Sequence, residues 1–325
     1  MRIIPDFDDV VNAAALIRPH IHHTPLITSQ ALNRMTGADL VFKPENLQRT
    51  GSFKARGGCN AVFSLTEEEA RLGVATHSSG NHAQAVAYAA ALRGIPSTIV
   101  MPRNAPPVKV AAVRDYGARI VWAGDHPLDR ERDLERVLSE TGAVFIHPSN
   151  DPHVIAGQGT AALELLDDVA AGVRGPLDLV MTPVGGGGLL SGTALTVAAR
   201  GEGARTVGVE PLAVDDAYRS LRAGSIQPPT NADTVADGLR TFLGDVNFPI
   251  IQAKVAEILT VTEQGIIDAM RLFWERTKII IEPSAAVPLA ALFEHAEFFR
   301  DLRVGIVLSG GNVDLNRLPW QCDPT

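Results

Sequence analysis

Short apolar runs that predict β-strands alternate along this chain with amphipathic stretches that predict helices. In the first half, the strand-like runs Ser97–Met101, Arg119–Trp122 and Ala143–Ile146 are separated by a helix-like segment and by the charged stretch Leu128–Leu138. A similar alternation begins again near Leu177. Such alternation is typical of mainly parallel sheets with helices on both faces, so the pattern predicts an α/β fold.

Proline, asparagine and aspartate cluster at Pro148–Pro152, between the two alternating regions, and this composition predicts a hinge. We therefore expect two three-layer α/β domains with mainly parallel sheets. The smaller domain would comprise residues 73–149, and the larger would combine residues 1–72 with residues 150–325. One apolar helix face in the larger domain predicts core packing or a subunit interface. It consists of Ile266, Met270, Phe273 and Trp274.

Composition argues against several classes of protein. The 325 residues carry a formal net charge of −8 and no basic run, which argues against a nucleic-acid binder. No uncharged apolar stretch approaches the ~20 residues of a membrane helix, and the acidic start Met1–Asp9 lacks the apolar core of a signal peptide. The two cysteines, Cys59 and Cys322, fit a reducing compartment better than a disulfide framework. We therefore expect a soluble, cytoplasmic protein.

Lys54 lies in the run Thr50–Gly57, between small residues and the aromatic ring of Phe53. A lysine that forms an imine with an aldehyde cofactor must be positioned and partly desolvated, so that a useful fraction of its amine is unprotonated near neutral pH. Phe53 would offer a flat surface to a heteroaromatic ring. Alone, the run is better explained by a surface lysine in a turn, but three further segments change this interpretation.

The first of these segments follows a strand-like run and precedes a helix-like one. It reads Ser78, Ser79, Gly80, Asn81 and His82. The start of a helix offers unpaired N–H groups and a partial positive charge, which suit a substrate carboxylate. Asn81 is also suited to hydrogen-bond a phenolic oxygen. An ordinary helix cap explains one serine or asparagine, but not this combination.

The second segment is glycine-rich and separates a strand-like run from a helical pattern. Its glycines are Gly185, Gly186, Gly187 and Gly188. Glycines at such a place allow successive backbone N–H groups to converge on a phosphate. A dinucleotide-binding loop is the alternative, and Glu210 lies about where its ribose-binding acid is expected. The spacing argues against it, because neither Leu190 nor Ser191 is the third glycine or alanine that this loop needs. A phosphate site for a smaller cofactor is the better interpretation.

The third segment ends the strand-like run that begins at Arg303, and it contains Ser309. A hydroxyl at a strand end can meet a ring nitrogen. Alone, the segment is an ordinary strand-to-loop turn.

These four segments, in this order, resemble those of the fold-type II enzymes that use pyridoxal 5′-phosphate (PLP). Within that group, the chain is similar to the serine racemase and serine/threonine dehydratase family, which includes 3-hydroxyaspartate dehydratases. The similarity extends from His22 to Leu315. It implies that PLP binds in a cleft between the two domains. Further matching segments are Phe42–Asn46, Val154–Thr160, Ala236–Gly238 and Ile281–Ser284. Within them, Gly238 and Glu282 are expected to border the cofactor.

The resemblance, carried over residue by residue, assigns roles around the cofactor. Lys54 forms the imine, Phe53 packs on the ring, and Asn81 contacts the ring hydroxyl. The four glycines bind the phosphate, and Ser309 meets the pyridine nitrogen. Because a serine does not keep that nitrogen protonated, such a site suits elimination better than transamination.

Ser79 distinguishes this chain within the family, because threonine dehydratases usually have alanine at the matching position. The resemblance implies that Ser79 is an acid/base on the cofactor face opposite Lys54, as racemisation requires. The alternative is that Ser79 only hydrogen-bonds a substrate carboxylate. Ser78, Gly80 and His82 would contribute to the same substrate site, together with the neighbouring asparagine.

Arg130 lies where serine racemases have an arginine on the substrate side. If it faces the site, it would bind a second carboxylate in bidentate fashion, and this would favour 3-hydroxyaspartate. The alternative is the solvated face of a charged helix. Ser149 is a departure, since those racemases have an active-site asparagine there.

The same resemblance implies a divalent cation, Mg²⁺, Ca²⁺ or Mn²⁺, bound by Glu210, Asp216 and the carbonyl of Val214. Two carboxylates, a carbonyl and waters suit such a hard ion. An acidic helix start is the alternative for Asp216, although not for Glu210 at a strand end. The resemblance also implies a homodimer with a nucleotide effector at its interface. The matching positions are Gln84, Lys109, Tyr116, Arg276, Lys278 and Asn312.

We therefore expect an ammonia-lyase that dehydrates and deaminates a β-hydroxy amino acid, namely serine, threonine or 3-hydroxyaspartate, with racemase side activity. The alternatives are an enzyme that is primarily a serine racemase, a β-replacement enzyme and a catalytically silent PLP-binding protein. Against β-replacement, the lysine motif of cysteine synthases resembles Ser-Val-Lys-Asp-Arg, whereas this chain has Phe53 and Ala55 beside Lys54.

Overall fold

The computed structural model describes residues 3–78, 80–105, 107–124, 127–172, 175–230 and 233–321. Within these ranges the chain forms two sheets in which all neighbouring strands are parallel. The strands are β1 (Asp39–Pro44), β2 (Val74–His77), β3 (Ser97–Pro102), β4 (Arg119–Ala123), β5 (Val144–Phe145), β6 (Leu179–Pro183), β7 (Arg205–Pro211), β8 (Val255–Val261) and β9 (Arg303–Leu308).

Helices connect the strands, as parallel pairing requires. They are α1 (Phe7–Ile17), α2 (Gln30–Thr36), α3 (Lys54–Phe63), α4 (Glu67–Leu72), α5 (Asn81–Arg93), α6 (Pro107–Asp115), α7 (Pro127–Thr141), α8 (Pro152–Ala171), α9 (Gly188–Arg200), α10 (Asp216–Ala223), α11 (Asn247–Lys254), α12 (Glu263–Thr277), α13 (Pro283–Glu294) and α14 (Ala296–Phe299). Short 3₁₀ helices occur at Glu45–Leu47, Arg49–Gly51, Leu212–Val214 and Asp237–Leu239.

The two sheets confirm the predicted fold of two α/β domains with parallel sheets. One sheet has five strands in the order β1-β9-β6-β7-β8, and the other has four in the order β4-β3-β2-β5. All four strands of the smaller sheet lie between Val74 and Phe145. Strand β1 precedes that region and the other strands of the larger sheet follow it, so the larger sheet is built from two separate parts of the chain. The domain bounds at residues 72/73 and 149/150 stay a prediction.

Each sheet is buried on both faces. In β1, Leu40 and Phe42 pack in the cluster that contains α13, whereas Val41 packs on the opposite face against Leu165 of α8. This division follows the two-residue period of a strand. The smaller sheet shows the same arrangement, because Val74 packs with residues of α5 and Ala75 packs with residues of α7. Burial on both faces explains the continuous apolar runs.

The strands β1 and β8 are absent from the pattern-based prediction. Strand β1 contains Lys43 and Pro44. Lys43 is fully buried, and its charge is compensated by Glu164, whose Oε2 lies 2.8 Å from the Lys43 Nζ. Strand β8 lies at the edge of its sheet and has a mixed burial pattern. The predicted apolar helix face belongs to α12. Its residues Ile266, Met270 and Phe273 are buried in the main core, which confirms core packing.

The loops at the carboxyl ends of β2, β5, β6 and β9 converge between the two sheets, where parallel α/β folds bind ligands. Contacts across this cleft include Asn81 Nδ2 to Glu282 Oε1 at 2.8 Å and Lys109 Nζ to Asp237 Oδ2 at 2.6 Å. Among the helices formed by the described residues, none combines the length and apolar character needed to cross a membrane.

Candidate active site

Lys54 is the first residue of α3 and follows a turn with unusual backbone angles. Thr50 and Gly51 have φ values of 59° and 69°. A side chain at Gly51 would collide with Asn312, so glycine is required there for both backbone and space. Ser52 then forms an antiparallel bridge to Gly310, beyond the end of β9. The turn thereby fixes the start of α3 against the end of β9, which lies between β1 and β6 in the larger sheet.

The amine of Lys54 lies in a desolvated environment. Its Nζ donates a hydrogen bond to the carbonyl of Pro148 at 2.7 Å and lies 5.1 Å from the centroid of the Phe53 ring. Burial lowers the pKa of Lys54 to about 8, and the negative charge of Glu282 acts in the opposite direction. A fraction of the amine is therefore unprotonated near neutral pH, as a lysine that forms an imine requires.

Phe53 is partly buried and packs against Ala161, Leu189 and Val307. These residues belong to α8, α9 and β9, so the ring lies where the glycine-rich loop and the end of β9 meet. Its backbone N–H donates to the Ser309 carbonyl at 3.0 Å.

The glycine-rich loop connects β6 to α9. Gly187 is the N-cap of α9, with a φ of 86°, and the helix start has no side-chain cap hydrogen bond. A side chain at Gly186 would overlap with Ser149 Oγ, whereas Cβ atoms at Gly188 and Gly185 would lie 3.0 Å from the Ser149 carbonyl oxygen and from Thr241 Oγ1. The loop therefore presents backbone at the start of a helix of 13 residues, which suits a phosphate.

Asn81, at the start of α5, has both ends of its amide bonded. Its Nδ2 donates to Glu282 Oε1 at 2.8 Å, and its Oδ1 accepts from Asn312 Nδ2 at 2.9 Å. These bonds fix the amide orientation. Burial raises the pKa of Glu282 to about 7, and the positive charge of Lys109 opposes this.

The side-chain hydroxyl of Ser309 is buried without a hydrogen-bond partner among the described residues, and the residue is 2% exposed. A buried hydroxyl without a partner is costly. Gly238, the remaining predicted cofactor residue, donates its N–H to Ser284 Oγ at 3.2 Å. The orphaned hydroxyl and the uncapped glycine loop both fit a cofactor with an acceptor atom at one end and a phosphate at the other, as PLP has.

The predicted substrate segment leads from β2 into α5. Ser78 Oγ accepts from the N–H of Gly80 at 3.2 Å. His82 is buried and its Nε2 lies 3.0 Å from the Ile146 carbonyl, so this ring nitrogen is the donor and Nδ1 is an acceptor without a partner in the described structure. Burial lowers the pKa of His82 well below its usual range, so the ring is neutral. Ser79 lies outside the described residues.

Arg130 lies on α7 and is partly buried. Its Nε has no hydrogen-bond partner within the described ranges. Burial lowers the pKa of His77, at the end of β2, and the positive charge of Arg130 lowers it further. The guanidinium is therefore close to the strand that leads into the substrate segment.

The predicted cation ligands lie at the carboxyl end of β7 and in the segment that follows it. Glu210 accepts from the N–H groups of Ala217 and Tyr218 at 3.2 and 2.9 Å, and Asp216 accepts from Leu243 N–H at 3.3 Å. Burial raises the pKa of Glu210 well above its usual range, against the Tyr218 hydrogen bond, and raises the pKa of Asp216 to about 6. Val214 lies two residues before Asp216, the first residue of α10, and it is buried. In the described part of the chain, no cluster of three or more His, Cys, Asp or Glu side chains is arranged to hold a metal ion.

Two groups near Lys54, the Asn247 side chain and the Pro148 carbonyl, are absent from the predicted site. Asn247 Nδ2 donates to the carbonyls of Ser149 and Gly186 at 3.0 and 2.9 Å, and it joins the glycine loop to the segment after β5. The Pro148 carbonyl, which accepts from Lys54, is a backbone group. Every residue has a backbone carbonyl, so the sequence does not indicate which one accepts a hydrogen bond. Asn247 begins an ordinary helical segment, so its role could not be predicted from the sequence either.

Known proteins that are similar to this chain also indicate a PLP-binding site. A sequence profile described as pyridoxal-phosphate dependent enzyme matches residues 17–310. A β-hydroxyaspartate dehydratase of Paracoccus denitrificans is 49% identical over 317 residues, which cover 98% of this chain and 99% of that protein. A serine racemase of Dictyostelium discoideum is 46% identical over 316 residues, with 95% of each chain covered. The structure of maize serine racemase is similar to this one with a TM-score of 0.93 and 44% identity, over 98% of this chain and 97% of that one.

The matched region includes the lysine turn, the glycine loop and the orphaned serine described above. The chain therefore belongs to the family of pyridoxal-phosphate dependent enzymes.

Proposed function

We propose that this protein is an ammonia-lyase that removes water and then ammonia from a β-hydroxy amino acid, with 3-hydroxyaspartate as its preferred substrate. The observation that carries the proposal is the amine of Lys54, which lies between the Phe53 ring and the Pro148 carbonyl. An uncharged amine is the base that abstraction of an α-proton needs. With a pKa of about 8, about a tenth of the amine is uncharged at pH 7.

The residues of the cleft fit the cofactor. The glycine loop would hold its phosphate, Ser309 its ring nitrogen and Asn81 its ring hydroxyl. When bound, PLP supplies an electron sink for the pair left behind as the α-proton is removed. Ser309 is not an acid, so it does not strengthen that sink by protonating the ring. Loss of a β-hydroxyl, which needs only a short-lived negative charge at the α-carbon, suits such a site.

Contacts across the cleft restrict the access of water to the reacting groups. Lys109 of α6 is 6% exposed, and it pairs with Asp237 on the opposite side at 2.6 Å. Asn81 and Glu282 form a second contact across the cleft. Release of product then requires these contacts to open, as in other enzymes with mobile domains.

Arg130 supports the choice of a dicarboxylic substrate. Its partly buried guanidinium lacks a partner for Nε among the described residues, and an arginine fork matches a carboxylate. The name of the Paracoccus denitrificans relative, a β-hydroxyaspartate dehydratase, points to the same substrate.

The test is the release of 2-oxo acid and ammonia from 3-hydroxyaspartate isomers, L-serine, D-serine and L-threonine. We expect kcat/KM for one 3-hydroxyaspartate isomer to exceed that for serine, and Arg130→Met to lower it by about 10- to 100-fold, as loss of a charged hydrogen bond does. Serine turnover should change little. Arg132→Met is the control, because Arg132 lies on the same helix, is exposed and pairs with Asp129. Preference for serine, or equal loss on both substrates, would contradict the choice of substrate.

A second candidate function is serine racemisation, which the names of the Dictyostelium discoideum and maize relatives favour. We propose that Ser79 returns a proton on the face opposite Lys54. When the ratio of serine enantiomers is measured beside 2-oxo acid release, Ser79→Ala should lose interconversion of the enantiomers and keep dehydration of the L-substrate. If racemisation exceeds dehydration in the unmodified enzyme, the racemase is the main function. The homodimer and the nucleotide effector stay predictions.

We also propose that a divalent cation binds at Glu210, Asp216 and the Val214 carbonyl. Burial and mutual repulsion disfavour two charged carboxylates there, and a cation would compensate both. Mg²⁺ at about a hundred times its Kd should stabilise the fold by about 2.7 kcal/mol, and chelation should reverse this. Thermal unfolding measures the effect. Glu210→Gln should remove the response, whereas Glu140→Gln, at an exposed position of α7, should keep it. An unchanged response in Glu210→Gln would refute the site.

A further inference from the structure

His147 follows the short strand β5 and begins the segment that connects the two sheets. The preceding residue is fixed, because Ile146 N donates to the Ala75 carbonyl at 3.0 Å and its own carbonyl accepts from Thr76 Oγ1 at 2.8 Å. The His147 ring lies edge-on to the rings of Phe145 and His77, with centroid distances of 5.6 and 6.3 Å. The imidazole is therefore held in a defined orientation.

The Nδ1 atom of His147 accepts two backbone hydrogen bonds. The donors are the N–H groups of Ser149 at 3.1 Å and Asn150 at 2.8 Å. With two donors directed at it, Nδ1 carries no hydrogen, and the ring proton is on Nε2. Asparagine and aspartate make the same pattern when their side chains accept from residues two and three positions later, and they fold the backbone into a turn.

Pro148 lies inside this turn and has no N–H of its own, so only its carbonyl is available for a hydrogen bond. That carbonyl accepts from Lys54 Nζ at 2.7 Å. The next carbonyl, of Ser149, accepts from Asn247 Nδ2, which also donates to the Gly186 carbonyl. One turn thus contacts both the amine and the glycine loop.

We propose that His147 is a positioning residue for Lys54. Through its Nδ1 it orients the carbonyl of Pro148, and this carbonyl holds the lysine amine whenever the amine is not bonded to the cofactor. The inference rests on the proposed function, in which Lys54 attaches the cofactor and moves the α-proton. It adds a requirement that the lysine motif does not contain, namely an acceptor contributed by a turn of the opposite domain.

The carbonyl has two consequences for the amine. It restricts the Nζ atom to one place, so that the lone pair returns to the same direction after each turnover. It also favours the charged form, because an ammonium group donates a stronger hydrogen bond than an amine. If the Pro148 carbonyl no longer points at the amine, turnover should therefore slow and the pKa of the amine should fall.

A matched pair of substitutions isolates the acceptor. His147→Asn places Oδ1 on the γ-carbon that carries Nδ1 in histidine, whereas His147→Leu has the same branching without an acceptor. The full chain is stripped of PLP, and the rate of covalent attachment of added PLP is followed by absorbance as a function of pH. We expect the pH midpoint in His147→Leu to fall by about one unit, and kcat of the reconstituted enzyme to fall about tenfold. His147→Asn should keep the original midpoint.

Two further variants keep the test decisive. Phe145→Leu removes a ring contact but leaves the acceptor, so its midpoint should not move. If His147→Leu does not fold, His147→Gln replaces it, because glutamine carries its acceptor one bond farther from the turn. Equal midpoints in the variants with and without the acceptor would overturn the inference. If PLP attaches as well to Lys54→Ala, the proposed function itself fails and the inference falls with it; if attachment needs Lys54 but not the His147 acceptor, the inference alone fails.

Discussion

Lys54→Ala is expected to lower kcat/KM by about 10⁴-fold or more, because one substitution removes both the proposed point of cofactor attachment and the proposed base for the α-proton. No other lysine replaces it among the described contacts of the cleft, since Lys109 is paired with Asp237. The measurement is 2-oxo acid release from the best substrate, with PLP content determined in parallel. Lys254→Ala is the control, because Lys254 is exposed at the end of α11 and should behave as the unmodified enzyme.

The pH dependence adds a second requirement to this result. Burial lowers the pKa of Lys54 to about 8, so the uncharged fraction of the amine rises from about a tenth at pH 7 through a half near pH 8 to about nine tenths at pH 9. The rate of PLP attachment to the stripped enzyme should follow the same curve. Substantial turnover by Lys54→Ala, or attachment that is independent of pH between 6 and 9, would contradict the assignment of Lys54.

The parts of the site that sequence analysis predicted are those whose chemistry depends on the type of a side chain or on glycine. Lys54, the glycine loop and Ser309 belong to this group, and the structure brings them together through β9 and the loop after β6. The parts that it missed depend on backbone groups, which every residue has, or on a side chain such as Asn247 in an otherwise ordinary helical segment. The Pro148 carbonyl is a backbone acceptor, and its direction follows from a turn closed by His147.

The same distinction applies to the fold. Strands buried on both faces, such as β3 and β9, are continuous apolar runs and were predicted with nearly their observed bounds. Strand β1 was missed although it is buried, because Lys43 interrupts its apolar pattern. The residue that makes this burial acceptable, Glu164, lies on α8. From sequence alone, a charged residue is expected at the surface. Its partner cannot be recognised, because that partner is distant in sequence.

Lys43 belongs to a larger buried cluster whose centre is Arg56, two residues after Lys54. The guanidinium of Arg56 donates to both oxygens of Glu45 at 2.7 and 2.8 Å and to both oxygens of Glu164 at 2.8 and 2.7 Å. Burial alone would lower the pKa of Arg56, but the two carboxylates raise it, so the group stays charged. These bonds tie the first turn of α3 to the residues after β1 and to α8. The ion cluster therefore fixes the turn of α3 that carries Lys54.

Arg56→Ala is expected to reduce the free energy of unfolding by about 3–5 kcal/mol, because it leaves a buried carboxylate without its partner. The side chains of Arg56 and Glu45 are both 0% exposed, so water cannot replace the lost bonds without rearrangement. Urea unfolding followed by circular dichroism measures the change. Arg200→Ala is the matched control, since the Arg200–Asp167 pair has a similar distance of 2.9 Å but both side chains are 50% exposed. Exposed pairs contribute about 0–1 kcal/mol.

Arg56→Lys distinguishes charge from geometry in this cluster. Lysine keeps the charge but cannot donate in bidentate fashion to two carboxylates, so most of the loss should remain. The start of α3 would then be less well fixed, and kcat should fall along with stability while the pH midpoint of PLP attachment stays near that of the unmodified enzyme. If Arg56→Ala were no more destabilising than Arg200→Ala, the cluster would not be what holds Lys54 in place, and the turn at Gly51 and the Ser52–Gly310 bridge would have to fix it alone.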